Sequence, residues 1–140
     1  MKKITLRRIL NHLSWRIHMF YQVYLPQWIL SQFLKKEVHS GLFKTLKFSQ
    51  PSFDSSVLLP KLVGTYENEL EFVFRQIDFN QYDVIIDVGA AEGYFAVGLA
   101  KFYFPHRVIA YETVSGRRRV LRRLARLYEV ANRVTTKGHC

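Results

Sequence analysis

The chain has 140 residues, room for one domain of ordinary size. With 49% hydrophobic and 15% aromatic residues it can pack a core, which excludes intrinsic disorder, and its one cysteine, Cys140, excludes an intrachain disulfide or a cysteine-based zinc framework. A formal net charge of +10, from 21 basic and 11 acidic residues, favours anionic partners such as nucleic acid, a lipid surface or an acidic substrate, without choosing among them.

Residues 1–38 read as a basic helical extension. Leu6, Ile9, Leu10, Leu13 and Ile17 recur at three- and four-residue steps between Lys2, Lys3, Arg7, Arg8 and Arg16, so an amphipathic helix is predicted. Pro26 interrupts the segment after this helix, and Trp28 to Leu34 is predicted as a second short helix. There is no apolar run of the roughly 18 residues that a spanning helix needs. Asn11, His12, Ser14, Arg16 and His18 break any apolar signal region. The basic residues and nearby Trp15, Phe20, Tyr21, Tyr24 and Trp28 suit two roles. One is an extension packed on the sheet domain or on a partner subunit; the other is an interfacial helix on a lipid surface. A cytoplasmic location, with peripheral membrane attachment as the variant, is the expectation.

Residues 39–60 are rich in Ser, Gly, Pro and Phe without a sustained period, and read as a connector with one short strand. The domain itself is predicted over residues 61–140. Its first segment is Pro60-Lys-Leu-Val-Gly-Thr-Tyr-Glu-Asn-Glu-Leu70, in which Thr65 is a candidate N-cap with Asn68 at the third position. Leu70, Phe72, Val73, Phe74 and Ile77 supply the apolar positions of the next helix.

Residues 84–98 read Val-Ile-Ile-Asp-Val-Gly-Ala-Ala-Glu-Gly-Tyr-Phe-Ala-Val-Gly. A short apolar run with one embedded acid, Asp87, breaks into small residues from Gly89 to Gly93 and resumes at helical spacing. That is a buried strand, a tight turn and a helix start, the unit that holds nucleotide-like ligands in doubly wound sheets. Small residues let the backbone approach a ligand, and the free N–H groups of the helix N-terminus face it. A dinucleotide fingerprint needs glycines at positions one, three and six. Counted from Gly89, position six is the bulky Tyr94. Counted as Gly-x-Gly-x-Gly, the turn is Gly89, Ala91, Gly93, with only the middle glycine replaced.

The next apolar run, Arg107-Val-Ile-Ala-Tyr111, ends in Glu112, which lies 23 residues after Gly89. The acid that accepts ribose hydroxyls in a βαβ unit is expected about 20 residues on. The other reading of Glu112 is a strand-end carboxylate that caps the following turn.

The turn and its acids resemble motif I and the second-strand acid of the class I S-adenosylmethionine-dependent methyltransferases. That resemblance implies S-adenosyl-L-methionine as cofactor. Asp87, Gly89, Ala91, Glu92, Gly93, Tyr94 and Glu112 would be its binding residues, with Asp87 organising the methionine end. The 60–70 segment resembles one that precedes motif I in uncharacterised bacterial methyltransferase-like proteins; by that likeness Lys61, Tyr66 and Glu67 would touch the cofactor or the acceptor, against the alternative of a helix that merely flanks the sheet.

Gly116-Arg-Arg-Arg-Val-Leu-Arg-Arg-Leu-Ala-Arg126 comes next as the second crossover helix. Val120, Leu121, Leu124 and Tyr128 form its apolar face, opposite a stripe of Arg118, Arg122 and Arg126 that reads as solvated and alternatively as an RNA contact. Pro105 marks the end of the first crossover helix, and Asn132 is a candidate left-handed cap for the second. Arg133 to Lys137 begins a third strand.

The expected fold class is therefore α/β: a partial Rossmann-like doubly wound parallel sheet of about three strands with an amino-terminal helical extension. A methyltransferase sheet has seven strands, so the chain reads as an amino-terminal fragment, completed by a missing segment or a partner chain and inactive alone. No metal site, catalytic residue or methyl acceptor is predicted. A non-catalytic relic, or a basic membrane- or RNA-associating module, is the alternative function.

Overall fold

The computed structural model describes residues 14–15, 17–33, 36–48, 57–103 and 106–139. The predicted amphipathic positions Leu6, Ile9, Leu10 and Leu13 lie outside the described residues, as do Pro105 and Cys140. Residues 14–15 and 17–19 are helical and run into a π turn, Phe20–Tyr24, and then helix α1, Leu25–Phe33. Pro26 therefore does not break the chain into two helices. It lies in the first turn of α1, where its missing N–H matters least, and the preceding turn widens so that Leu25 N–H reaches back to the Phe20 carbonyl.

Residues 36–48 form a compact loop closed by one antiparallel bridge between Glu37 and Lys47. The segment read as a connector supplies part of the core: Phe43, Leu46 and Phe48, with Val38 just before it, are buried in the same cluster as the sheet and its helices. Phe43 stands against Tyr94, Phe95 and Tyr103 at ring separations of 5.0, 5.6 and 6.2 Å. It fits because position 98 is glycine: a Cβ there would lie 2.7 Å from the Phe43 ring. Tyr103 and Tyr128 tie the loop down, donating to the carbonyls of Leu42 (2.9 Å) and Thr45 (3.1 Å).

Helix α2 (Leu58–Val63) ends at Gly64 in the left-handed conformation. The Pro60 carbonyl accepts from the N–H groups of Gly64, Thr65 and Tyr66, a C-terminal cap that shuts the helix off abruptly. Thr65 is consequently not an N-cap. Residues 65–68 form a turn, and α3 (Glu69–Gln76) begins after Asn68 without a side-chain cap. A single 3-10 turn, Phe79–Gln81, leads into the sheet.

Strands β1 (Val84–Val88), β2 (Arg107–Tyr111) and β3 (Val134–Lys137) are parallel and adjacent in the order β1-β2-β3, with Asp87 opposite Ala110 and Ala110 opposite Thr136. The crossovers are α4 (Tyr94–Phe102) and α5 (Ser115–Leu127). The architecture is thus α/β, a three-stranded parallel sheet of partial Rossmann-like type. Val108 and Ala110 are fully buried on the face that carries α4 and α5, while Val84, Ile86 and Val88 on the other face are exposed.

On α5, Leu121 and Leu124 are buried and Val120 and Tyr128 half-buried, as the apolar face requires. The helix ends before the predicted stop. The left-handed residue is Glu129 (φ 57°), not Asn132, because Val130 folds back to donate to the Ala125 carbonyl and is fully buried. Burying that valine at the helix end fixes the turn before asparagine is reached. The arginine stripe is also not uniformly solvated: Arg118 donates to the carbonyls of Glu112 and Thr113 (2.6 and 2.7 Å), and Arg122 to the Thr136 hydroxyl (3.2 Å), leaving Arg126 exposed.

Candidate functional site

Parallel strands joined by helices put all their carboxyl ends, and the loops after them, on one edge of the sheet. The turn after β1 and the turn after β2 meet there. Gly89 and Ala90 donate N–H bonds to the Tyr111 carbonyl at 2.8 and 2.9 Å, continuing the ladder past the end of β1. The turn then closes on itself through Gly93 N–H to Ala90 carbonyl at 2.8 Å.

Glu112 ties the two turns together. Its carboxylate is buried (6% exposed) and accepts the Ala91 N–H at 3.0 Å on one oxygen and the Val114 N–H at 2.7 Å on the other. Of the two sequence readings of this residue, that geometry shows the cap: the carboxylate closes its own turn and also stands against the small-residue turn. Two N–H bonds leave further lone pairs, since an ionised carboxylate has about four acceptor positions.

The glycines and the alanine in the turn play three different parts. Gly89 has φ +85° and open space where a Cβ would be, so its backbone is bare toward the cleft. Gly93 has φ +95°, and a Cβ there would come within 2.7 Å of Leu121, so it permits α4 to pack on α5. Ala91 holds φ 47° without being glycine, a left-handed residue that the neighbouring bonds must maintain.

A cleft of about 370 Å³ lies at this corner, lined by Val88, Gly89, Tyr111, Glu112, Thr113, Val114, Arg117, Gly138 and His139. Its volume falls in the range of small-molecule sites. Thr113, Val114, Arg117, Gly138 and His139 are lining residues that motif spacing does not mark. Their signal is topological: they lie just beyond the carboxyl ends of β2 and β3.

Asp87 sits one residue before the end of β1, on the helix-covered face. One carboxylate oxygen, Oδ2, is buried and has no hydrogen-bond partner among the described residues. Burial pushes this carboxyl above its ordinary value, the Ala96 N–H opposes that, and the nearby Glu67 charge adds to it.

The other predicted residues face inward. Glu92 (5% exposed) and Tyr94 (4% exposed) lie beneath the turn, not in the cleft. Glu92 pairs with Lys61 at 2.5 Å, both side chains almost fully buried. The Lys61 ammonium also lies 4.6 Å from the Tyr66 ring centroid and 5.5 Å from that of Tyr94. Burial pushes the Tyr94 hydroxyl up to about 12, with the Glu71 and Glu67 carboxylates adding to the shift. Tyr66 is also pushed up to about 12, first by burial and then by its hydrogen bond with Glu67. Tyr66 and Glu67 border a separate cavity of about 10 Å³, the size of one water. Lys61 thus supports the turn from behind, and Lys61, Tyr66 and Glu67 do not line the cleft.

No family model matches this chain, and no curated protein is recognisably similar in sequence. Among solved structures, the chain is similar to an O-methyltransferase described as StiE O-MT residues 961-1257, at 17% identity and a TM-score of 0.49, over 65% of this chain and 31% of that one. It is also similar to geranyl diphosphate C-methyltransferase from Streptomyces coelicolor A3(2), solved in complex with Mg2+, geranyl diphosphate and S-adenosyl-L-homocysteine. There the identity is 16% and the TM-score 0.45, over 81% of this chain and 46% of that one. The chain spans 31% and 46% of the length of these two methyltransferases.

Proposed function

We propose that this chain carries the S-adenosylmethionine-binding part of a class I methyltransferase. The observation that carries the reading is the corner itself. A bare glycine backbone at Gly89 and the buried Glu112 carboxylate, 3.0 Å from Ala91 N–H, border one cleft at the carboxyl edge of a parallel sheet.

The residues present fit such a ligand. Glu112 has acceptor capacity left for ribose hydroxyls, Gly89 offers close approach, and the unpartnered Oδ2 of Asp87 suits an ammonium group. Ala91 and Gly93 act through their backbone. Glu92 and Tyr94 act through the position of the turn, because their side chains are held in the core. When bound, S-adenosylmethionine supplies a methyl group on a sulfonium, and the protein's share of such a displacement is alignment of donor and acceptor. No described residue is assigned to the acceptor or to catalysis, and the outer face of β1, with Val84, Ile86 and Val88, is exposed. We therefore expect the chain to bind the cofactor at this corner.

Calorimetry with S-adenosylhomocysteine tests the reading. Binding in the micromolar range is expected, abolished by Thr113→Trp, which fills the cleft from an exposed position and removes no hydrogen bond of the turn. Glu112→Ala should weaken binding about tenfold or more, since hydrogen bonds to a charged group contribute about 1.5–3 kcal/mol each. A silent titration at millimolar ligand, with the chain folded, rejects the proposal in favour of Glu112 as a turn cap only.

A further inference from the structure

The amino-terminal helix presents a surface that the cleft does not use. Ile17, Phe20, Tyr21, Ile29, Leu30 and Phe33 are each 40% to 77% exposed along residues 17–33, and α1 packs against α2, which ties this surface to the domain. So many large apolar side chains in one short stretch exceed the scattered singles of an ordinary surface.

The charge around them is one-sided. Residues 1–36 contain seven Lys and Arg and no Asp or Glu; the first acid in the chain is Glu37. No helix among the described residues is long and apolar enough to cross a membrane. Apolar side chains that need a non-aqueous partner therefore coincide with a cationic stretch that needs an anionic one.

We propose that the helical stretch of residues 17–33 docks on the surface of an anionic phospholipid bilayer. The exposed aromatic and aliphatic groups enter the boundary between headgroups and acyl chains, and the lysines and arginines stay with the phosphates. Two other occupants fit less well. A second copy would bring two such cationic segments together, which like-charge repulsion opposes. RNA would satisfy the charges and stack on the aromatic rings, but offers nothing to Ile17 and Leu30.

Sedimentation of the whole chain with vesicles of phosphatidylcholine, alone or mixed with phosphatidylglycerol, tests this. Binding to the mixed vesicles at low salt is expected, at least about tenfold weaker on phosphatidylcholine alone. It should be lost near 1 M salt, where the screening length falls to about 3 Å. Both tryptophans of the chain, residues 15 and 28, lie in or beside this stretch, so their emission should shift to the blue on the mixed vesicles. The variant I17S/F20S/F33S should keep the wild-type melting temperature and S-adenosylhomocysteine affinity and lose vesicle binding. Replacing Lys2, Lys3, Arg7 and Arg8 with Gln should remove the preference for anionic lipid. No sedimentation at low salt, equal binding to neutral vesicles, an RNA mobility shift without vesicle capture, or a dimer that the triple variant abolishes would each overturn the proposal.

Discussion

Replacing Lys61 with Met isolates the buried pair beneath the turn. In the native chain the Lys61 and Glu92 side chains are 4% and 7% exposed and meet at 2.5 Å. Methionine matches the aliphatic stem of lysine but leaves the Glu92 carboxylate in the core without its partner. Breaking one side of such a pair costs about 3–5 kcal/mol, because an uncompensated charge stays buried. For a domain whose whole stability is about 5–15 kcal/mol, that is a large share. At about 3–5 °C per kcal/mol for a chain of this length, the melting point should fall by about 9–25 °C. The double variant Lys61→Met with Glu92→Leu removes both charges and should recover most of the loss, since well-packed apolar replacements of buried ion pairs are often neutral or better. Urea denaturation of wild type, both single variants and the double variant closes the cycle. If Lys61→Met stays within about 1 kcal/mol of wild type, or the double variant is no more stable than the singles, the pair does not hold the turn from behind.

Three other outcomes are expected. Phe43→Ala should cost about 3–5 kcal/mol in urea denaturation, as for a core aromatic; a loss below about 1 kcal/mol would mean that residues 38–48 are not part of the core. Ala91→Gly should be neutral or stabilising by up to about 1 kcal/mol, the relief of a left-handed alanine offset by the freer unfolded chain, and a clear destabilisation would contradict the φ of 47°. Asp87 has its folded-state pKa raised by burial, so the folded state prefers it protonated; its contribution is fully favourable below the unfolded value and is lost as pH rises through the raised one. Asp87→Asn should therefore stabilise the chain at neutral pH and lose that advantage on acidification, while weakening S-adenosylhomocysteine; an advantage that grows toward acid would reverse the sign of the argument.

The strand, turn and helix of residues 84–102 were legible because each rests on local chemistry. An apolar run, small residues in a turn and a helical apolar period all lie within a few positions of one another. The acid after β2 was legible for a related reason: one crossover helix has a nearly constant length, so Glu112 arrives at a predictable distance from Gly89. The roles of Glu92 and Tyr94 were not. They stand in the middle of the ligand-like turn, yet their side chains point into the core, because Lys61 and Phe43 are there to receive them.

The sequence by itself determined which segments form strands and helices after residue 83, and it determined the pairing of a small-residue turn with an acid one crossover later. The tertiary structure alone decided that residues 38–48 belong to the core, that Lys61 serves the turn from within, and that Arg117 and His139 border the cleft. The reason lies in contact distance along the chain: Phe43 meets Gly98, and Lys61 meets Glu92, across spans where no local period or motif links the partners. Such contacts arise only when separate elements are packed against one another, and that packing sets which side of the turn a ligand can reach.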